Sequence, residues 1–441
     1  MREFYDKKRI AILGFGRSGK AAVDFLGVGG AELTVYDAQE PTPLERARYE
    51  ARGVRFAIGP FPYCFPEEIL VRSPVLRPDL LPIARAVALG AVLTSETQLF
   101  LEHCKAPVLG VTGSDGKTTT ASLAACLLRG AGHTVHLGGN NGTPLLAQCD
   151  RIKPTDIVVL ELSSFQLMTP GAPLCAGVIT NLSPNHLNWH VDLHEYARAK
   201  CNIGANGMRF LAYNAENDAL CSAVKPLSVA RKSFAVQGKT ILLTDASGTR
   251  EYGIPRTFSL PGRHNAENLA AALALTEELG EWKATSAALA DFHGVPHRLQ
   301  YVDTVRGVRF YNSSIDTSPT RTAAALSALE TPPIVIAGGR GKGVSFAPLG
   351  DALAQRAKAV CLYGEAGDEI EAAIGGRVCT HRHHTMEAAF YTAAALAKDG
   401  DAVLLSPACT AFDQFRDFAH RGAVFCELVQ KFKQSEAKKE G

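Results

Sequence analysis

An apolar run, Val108-Leu-Gly-Val-Thr, passes directly into Gly113-Ser-Asp-Gly-Lys-Thr-Thr-Thr120, and no other stretch restricts the possible fold as strongly. A buried strand that ends in glycines and continues as a helix aims backbone N–H groups at one point, the positive end of the helix dipole. Gly113 and Gly116 permit that turn, Lys117 reaches the outer oxygens of a polyphosphate, and the Thr118 hydroxyl is offered to Mg²⁺. Ser114, Asp115 and Thr119 complete the loop and the helix start. The strict phosphate-loop spacing asks for glycine where Val111 stands. The context supplies what the spacing lacks: a strand before the turn, then apolar residues at Leu123, Leu127 and Leu128 with Gly130 as a stop. ATP is therefore the expected ligand.

A second glycine loop lies near the N-terminus. Arg9 to Gly14 reads as a strand, Gly14-Phe-Gly16-Arg-Ser-Gly19 as the turn into a helix through Leu26, and Glu32 to Tyr36 as a second strand ending at Asp37. This βαβ unit fits a diphosphate at a helix N-terminus, with Gly14, Gly16, Arg17 and Ser18 around it and Asp37 where a ribose-binding carboxylate belongs. The fingerprint reports a diphosphate rather than a nicotinamide, so NAD and any other nucleotide diphosphate both satisfy it.

With 441 residues the chain is long for one core, and the usual domain size gives roughly three domains of about 150 residues. The pattern divides into an N-terminal Rossmann-like domain over 1–95, a central phosphate-loop mixed α/β domain over 96–297, and a C-terminal doubly wound parallel sheet over 298–441. A turn at Ser73-Pro74-Val75, a helix from Leu80 to Leu89 and a strand to Thr94 close the first. In the second, strands are expected at His133–Leu137, Asp156–Leu162, Gly177–Asn181, Met208–Tyr213, Ser228–Ala235 and Thr240–Leu243. Helices are expected at His194–Ala205 and from Pro261 to Leu279. In the third, strands are expected at Val308–Asn312, Pro333–Ala337, Ala359–Tyr363, Arg377–Thr380 and Asp401–Leu405. Ligands there lie beyond the strands' carboxyl ends.

Composition excludes several classes. Forty-six basic residues against 44 acidic ones leave a formal charge of +2, no nucleic-acid footprint. No run approaches 18 apolar residues and the charged N-terminus lacks a signal core, so the expected setting is cytoplasmic without membrane insertion. Eleven cysteines without a CxxC pair suit a reducing compartment. Cys379, His381, His383 and His384 crowd together but lack a second ligand pair for zinc. Glu161, a carboxylate ending an apolar strand, and His186 in Thr180-Asn-Leu-Ser-Pro-Asn-His186 are the candidate Mg²⁺ ligands beside Thr118.

Taken together, Gly110-Val-Thr-Gly-Ser-Asp-Gly-Lys-Thr-Thr-Thr120, Leu160-Glu-Leu-Ser-Ser164, Gly262-Arg-His-Asn-Ala-Glu-Asn268, His297-Arg298 and Ser406-Pro-Ala-Cys409 resemble the Mur ligase family over nearly the whole chain. The N-terminal glycine loop, Ser73-Pro74, Ser95-Glu96 and Ser406 to Phe415 are most similar to its D-glutamate-adding branch. The resemblance implies a monomeric amide ligase of peptidoglycan precursor synthesis that uses ATP and Mg²⁺. UDP-N-acetylmuramoyl-L-alanine would lie on the first domain, ATP on the second and D-glutamate on the third, with an acyl phosphate as intermediate. It further implies that Ser73 and Asn140 contact the UDP substrate, that Asn268 and Arg298 contact ATP, and that Thr317, Lys342 and Phe418 hold the amino acid. Lys117, His186 and Lys200 become the catalytic set, Lys200 matching a lysine the family carries as a carbamate.

The pattern is broken at named places. Asn185, Asn188 and Trp189 stand where the family usually has Asp, Asp and Arg, and Ser313 and Ile315 replace an acid and a lysine. Arg340 replaces an Asp and Ala411 a serine, which leaves open a Mur-type ligase for a different amino acid. From other classes, an NAD-dependent oxidoreductase and an inactive nucleotide-binding module also remain as readings.

Overall fold

The computed structural model describes residues 2–140, 144–169, 174–187, 189–204, 207–258, 260 and 262–440. The chain divides into two units, one of residues 1–258 and 264–290, the other of residues 259–263 and 291–441. The first unit carries two sheets among the described residues and the second carries one.

The N-terminal sheet consists of β1 (Arg9–Leu13), β2 (Glu32–Asp37), β3 (Arg55–Ile58), β4 (Ile69–Arg72) and β5 (Val92–Ser95), all parallel, in the order β3-β2-β1-β4-β5. Both faces of β1 are covered. Ile10 and Ile12 enter one apolar cluster while Ala11 and Leu13 enter another, which is why the strand reads as a continuous apolar run. The strand order reverses between β1 and β4, placing the glycine loop after β1 beside the Ser73-Pro74 turn after β4. Sequence patterning missed β3, β4 and the helix Pro43–Glu50; β3 is only half-buried, and β4, though buried, is only four residues long and ends in Arg72.

The central sheet comprises β6 (Val108–Thr112), β7 (Val135–Gly139), β8 (Ile157–Glu161), β9 (Ala176–Ile179), β10 (Leu211–Asn214), β11 (Arg231–Gln237), β12 (Thr240–Asp245) and β13 (Gly248–Gly253). Its order is β13-β12-β11-β10-β9-β6-β8-β7, parallel from β7 to β11 and antiparallel beyond. The expected helix after Pro261 spans Arg263–Thr276 and continues as a 3-10 turn to Leu279. Its alanines at 270, 271, 272 and 274 are fully buried, so this helix is enclosed rather than amphipathic. The expected helix from His194 forms over Leu193–Cys201; its expected end at Ala205, like the expected start at Pro261, lies outside the described residues.

One apolar cluster takes side chains from both sheets, among them Ile12 and Val35 from the first and Val108, Leu160 and Leu211 from the second. Arg72, at the end of β4, reinforces the junction. Only 1% exposed, its guanidinium donates to the carbonyls of Pro74 (3.1 Å) and Leu76 (2.6 Å) in its own turn and of Phe165 (3.0 Å) after β8. Burial without a facing carboxylate draws its pKa down to about 10. Arg72→Met strips these buried carbonyls of their donor, and a loss of about 2–4 kcal/mol in urea denaturation is expected; an unchanged midpoint would show that solvent replaces the guanidinium without penalty.

In the second unit, β14 (Gln300–Val305) runs antiparallel to β15 (Val308–Asn312). The rest of the sheet, β16 (Ile334–Gly338), β17 (Ala359–Tyr363), β18 (Thr380–Arg382) and β19 (Ala402–Ala408), is parallel in the order β14-β15-β19-β16-β17-β18. Ile334 and Ile336 face one cluster and Val335 and Ala337 the other, as a doubly wound sheet requires. The antiparallel strand β14, half-buried and carrying Asp303, escaped the sequence pattern.

Candidate active site

Each glycine of the central loop is held to its identity by a neighbour. Gly113 has φ +147° and a Cβ there would overlap Thr180 Oγ1, while Gly116 has φ +77° and a Cβ there would overlap Asn268 Oδ1. Asn268 thus lies against the loop, also accepting from Thr120 Oγ1 (3.3 Å), and shares a site with it as expected. Asp115 is pinned through its backbone, its N–H donating to Asn181 Oδ1 (2.9 Å) and its carbonyl accepting from Thr180 Oγ1 (2.6 Å). The helix Lys117–Gly130 then begins at a left-handed Gly116 cap, with Thr118 and Thr119 in its first turn.

Two lysines converge on one carbonyl. Lys117 Nζ donates to the carbonyls of Gly113 and Ser114, both at 2.9 Å, and Lys200 Nζ donates to that of Gly113 at 2.7 Å. Lys200 is 2% exposed, and burial followed by the charge of Lys117 pushes its pKa well below the ordinary lysine value. One helical turn earlier, Tyr196 places its ring 4.6 Å from that amine and donates its hydroxyl to Ser114 Oγ (2.9 Å). Sequence reasoning passed over Tyr196; its four-residue spacing from Lys200, which puts both on one helix face, was the available signal.

Glu161, 2% exposed, accepts from Asn140 Nδ2 (2.9 Å) through one oxygen, while the other is buried without a hydrogen-bond partner among the described residues. His186 adopts φ +55° and stacks edge-on against Phe165 at 4.9 Å. Burial first, then the charges of Lys117 and Lys200, push its imidazole below its ordinary pKa, which favours the neutral ring form that metals take as a ligand.

On the N-terminal sheet, Gly14 (φ +94°) passes so close to Ser73 that a Cβ would sit 2.9 Å from the serine Cβ. Gly16 caps the helix Arg17–Leu26, which includes Ser18, and Gly19 lets that helix pack on the Gly14 carbonyl. The Asp37 carboxylate accepts from the N–H groups of Phe15 (2.6 Å) and Gln39 (2.8 Å), so it braces the glycine loop from within.

In the second unit, Thr317 after β15 and Lys342 after β16 meet, Lys342 Nζ donating to Thr317 Oγ1 at 3.0 Å. Phe418 opens the final helix, Phe418–Glu440, its carbonyl accepting from Ser314 Oγ (2.8 Å). The fully buried Arg421 secures this corner by donating to Ser314 and to the Cys409 and Thr410 carbonyls. Arg298 lies between two positive-φ residues, His297 (+64°) and Leu299 (+42°), and its charge acts on Asp316. Asp316, 7% exposed, accepts from Ser406 Oγ (2.9 Å), and its pKa is raised by burial. Of the departing positions, Ser313 accepts from the Leu299 N–H (3.0 Å), Arg340 pairs with Glu365 through two contacts (3.0 and 2.9 Å), and Ala411 is buried. Asn188 lies outside the described residues.

A glycine loop leading into a helix on each sheet of the first unit, and a lysine–threonine pair beyond the strand ends of the second, are an arrangement that α/β enzymes use to hold several ligands. Residues 111–276 match the Mur ligase middle domain and residues 297–409 match the Mur ligase, glutamate ligase domain. The chain belongs to the Mur ligase family. It is 38% identical over 451 residues to the UDP-N-acetylmuramoylalanine–D-glutamate ligase of Ruminiclostridium cellulolyticum, covering 97% of each chain. With the ligase of the same description from Clostridium perfringens it shares 36% over 448 residues, 97% of this chain and 98% of that one. Among solved structures, the fold is similar to a UDP-N-acetylmuramate-alanine ligase from Thermotoga maritima, with a TM-score of 0.56 at 18% identity over 97% of this chain and 100% of that one. It is also similar to a MurF ligase from the same organism in complex with ADP, with a TM-score of 0.54 at 17% identity over 100% of this chain and 97% of that one.

Proposed function

We propose that the chain is an ATP-dependent ligase of peptidoglycan precursor synthesis that joins D-glutamate to UDP-N-acetylmuramoyl-L-alanine. The observation that carries this reading is the meeting of Lys117 and Lys200 on the Gly113 carbonyl, in a chain 38% identical over 451 residues to a ligase of that description. A carboxylate oxygen of the UDP substrate attacks the γ-phosphorus of ATP and ADP leaves; the amine of the amino acid then attacks the acyl carbon, loses a proton, and phosphate departs. Such chemistry asks for positioning and charge neutralisation rather than a protein nucleophile. Lys117 supplies charge at the phosphoryl oxygens. Gly14, Gly16, Arg17, Ser18, Asp37, Ser73 and Asn140 take the UDP substrate, Gly113 to Thr119 with Asn268 and Arg298 take ATP, and Thr317, Lys342 and Phe418 take the amino acid.

The donor set fits Mg²⁺. Glu161 holds a buried carboxylate oxygen that is unpartnered among the described residues, and burial with the charges of Lys117 and Lys200 holds the His186 imidazole below its ordinary pKa. Among the described residues no group of three or more His, Cys, Asp or Glu is placed to hold a metal, so Glu161, His186 and Thr118 would hold a hard ion only together with phosphate and water. Bound there, Mg²⁺ neutralises charge on the transferred phosphoryl group. Lys200, an amine deprived of water, is poised to react with CO₂ and carry its charge as a carbamate anion. We propose a cytoplasmic setting, which the free thiols of its eleven cysteines support, and a monomer; no described helix is long and apolar enough to cross a membrane.

ADP release measured with UDP-N-acetylmuramoyl-L-alanine and each candidate amino acid tests the reading. Turnover that depends on D-glutamate is expected; turnover with another amino acid would reassign the crevice, and none with any amino acid would overturn the ligase. Lys342→Ala is expected to raise the KM for D-glutamate at least tenfold, about 1.4 kcal/mol, with the KM for ATP within about twofold. Equal rises would remove Lys342 from the amino-acid site.

A further inference from the structure

Between the two sheets of the first unit lies a cluster that the ligase chemistry does not use. The β4 strand leads through Ser73-Pro74-Val75 to Arg77, and Arg77 reaches the central half. Its guanidinium donates to both Glu195 oxygens (2.9 and 3.0 Å), to the Trp189 carbonyl (2.8 Å) and to Asp79 (2.9 and 2.7 Å). It also covers the Trp189 ring at 5.2 Å. Trp189 returns the contact, its indole Nε1–H donating to the Val75 carbonyl at 2.7 Å.

The same residues fix His186 from its other side. The His186 carbonyl accepts from the N–H groups of Trp189 and His190, both at 3.0 Å, so the histidine and the latched tryptophan belong to one turn. His190 anchors that turn inward: Nε2 lies 2.9 Å from Ser164 Oγ and Nδ1 lies 3.3 Å from Glu195. Glu195 also accepts from the Val191 N–H (2.9 Å). Phe165 fills the space between, 4.9 Å from His186 and 4.5 Å from Trp189, while its carbonyl is held by Arg72. The hydrogen bonds from Arg77 hold the Glu195 carboxylate at a pKa of about 2, so the pair is fully ionised at neutral pH.

A serine, an imidazole and a carboxylate in this order have the outline of a nucleophilic triad. Burial excludes that use, since Ser164 and His190 are each 2% exposed and no substrate reaches the hydroxyl. What the cluster does offer is registration. His186 has a left-handed backbone (φ +55°), and Trp189, whose N–H is bonded to the His186 carbonyl, is itself held by Val75 and Arg77 in the segment that follows the proposed UDP-binding turn.

We propose that Arg77 and Trp189 are positioning residues that lock the His186 turn to the Ser73–Val75 loop, setting the phosphoryl-transfer geometry from the UDP-substrate side. The proposal rests on the ligase reading for its kinetic test but not for its structural one. Two substitutions separate the contacts. Arg77→Met keeps the length of the chain and removes the fork; Trp189→Phe keeps an aromatic ring beneath Arg77 and removes only the bond to Val75.

The experiment combines hydrogen exchange with steady-state kinetics on the full-length chain. For Arg77→Met, exchange at the Trp189, His190 and Val191 amides is expected to quicken at least tenfold while the helix Lys117–Gly130 keeps its protection. With it, kcat is expected to fall at least tenfold while the KM values for ATP, the UDP substrate and D-glutamate stay within threefold. Trp189→Phe is expected to repeat both effects in weaker form, with at least a threefold loss of kcat. Unchanged exchange at these amides, an unchanged kcat, or faster exchange throughout the unit would each overturn a positioning role. Should Arg77→Met fail to fold, Trp189→Phe decides alone by the same two readouts. A wild-type chain that shows no turnover would refute the ligase reading, and the exchange data would still decide the latch.

Discussion

Lys117→Ala is expected to reduce ATP-dependent turnover at least about a thousandfold, the scale on which a preorganised charge at a transferring phosphoryl group acts. The lysine follows the left-handed cap at Gly116 and its ammonium hangs over the loop whose N–H groups form the cradle. Alanine leaves the loop's backbone constraints in place, because these come from Thr180 and Asn268. The glycine loop at Gly14 belongs to a different sheet, so UDP-substrate affinity, measured by calorimetry, is expected to stay within about tenfold, or about 1.4 kcal/mol. A parallel collapse of both affinities would refute the division of labour between the sheets.

The second large effect is expected at Lys200. Lys200→Ala should remove most activity, and formate or acetate, returning a carboxylate to the vacated space, should restore a measurable part. Near wild-type turnover would eliminate the role; a folded, inactive variant that no small carboxylate rescues would refute the carbamate specifically. A pH signature accompanies it. The buried amine has a lower pKa folded than unfolded, so between the two values the unfolded chain binds the extra proton. An unmodified Lys200 therefore makes stability rise with pH until the unfolded value near 10.4 is passed. Lys200→Met should flatten that slope in denaturation curves taken across neutral to alkaline pH.

Much of this was legible in the sequence because buried parallel strands leave a strong mark. Val108–Thr112, Ala359–Tyr363 and Ile334–Gly338 are buried on both faces, and each is followed by a glycine that ends the strand. The loops at Gly14 and Gly113 were legible for the same reason, since only glycine tolerates their backbone angles and crowding. The half-buried strands β3 and β14 and the mostly exposed β13 were missed because none of them is buried on both faces. Tyr196, His190 and Arg77 were hidden for another reason. Their importance lies in partners 82, 26 and 118 residues away, and a single chain read in order gives no sign of such pairings. The departure at Ser313 and the nearby Asp316 show the same limit: the hydroxyl takes up the Leu299 N–H and the acid feels the charge of Arg298, relations visible only in space.

The shared apolar cluster of the first unit separates topology from cooperativity. By strand order the N-terminal sheet is complete at Ser95, yet its Ile12 and Val35 belong to the same interior as Val108, Leu160 and Leu211. Leu99 and Phe100, 1% exposed on the helix Glu96–His103, lie within that interior and not on a tether. The two glycine loops therefore ride on one apolar interior; an isolated N-terminal sheet would present that surface to water, and the two halves are expected to melt together.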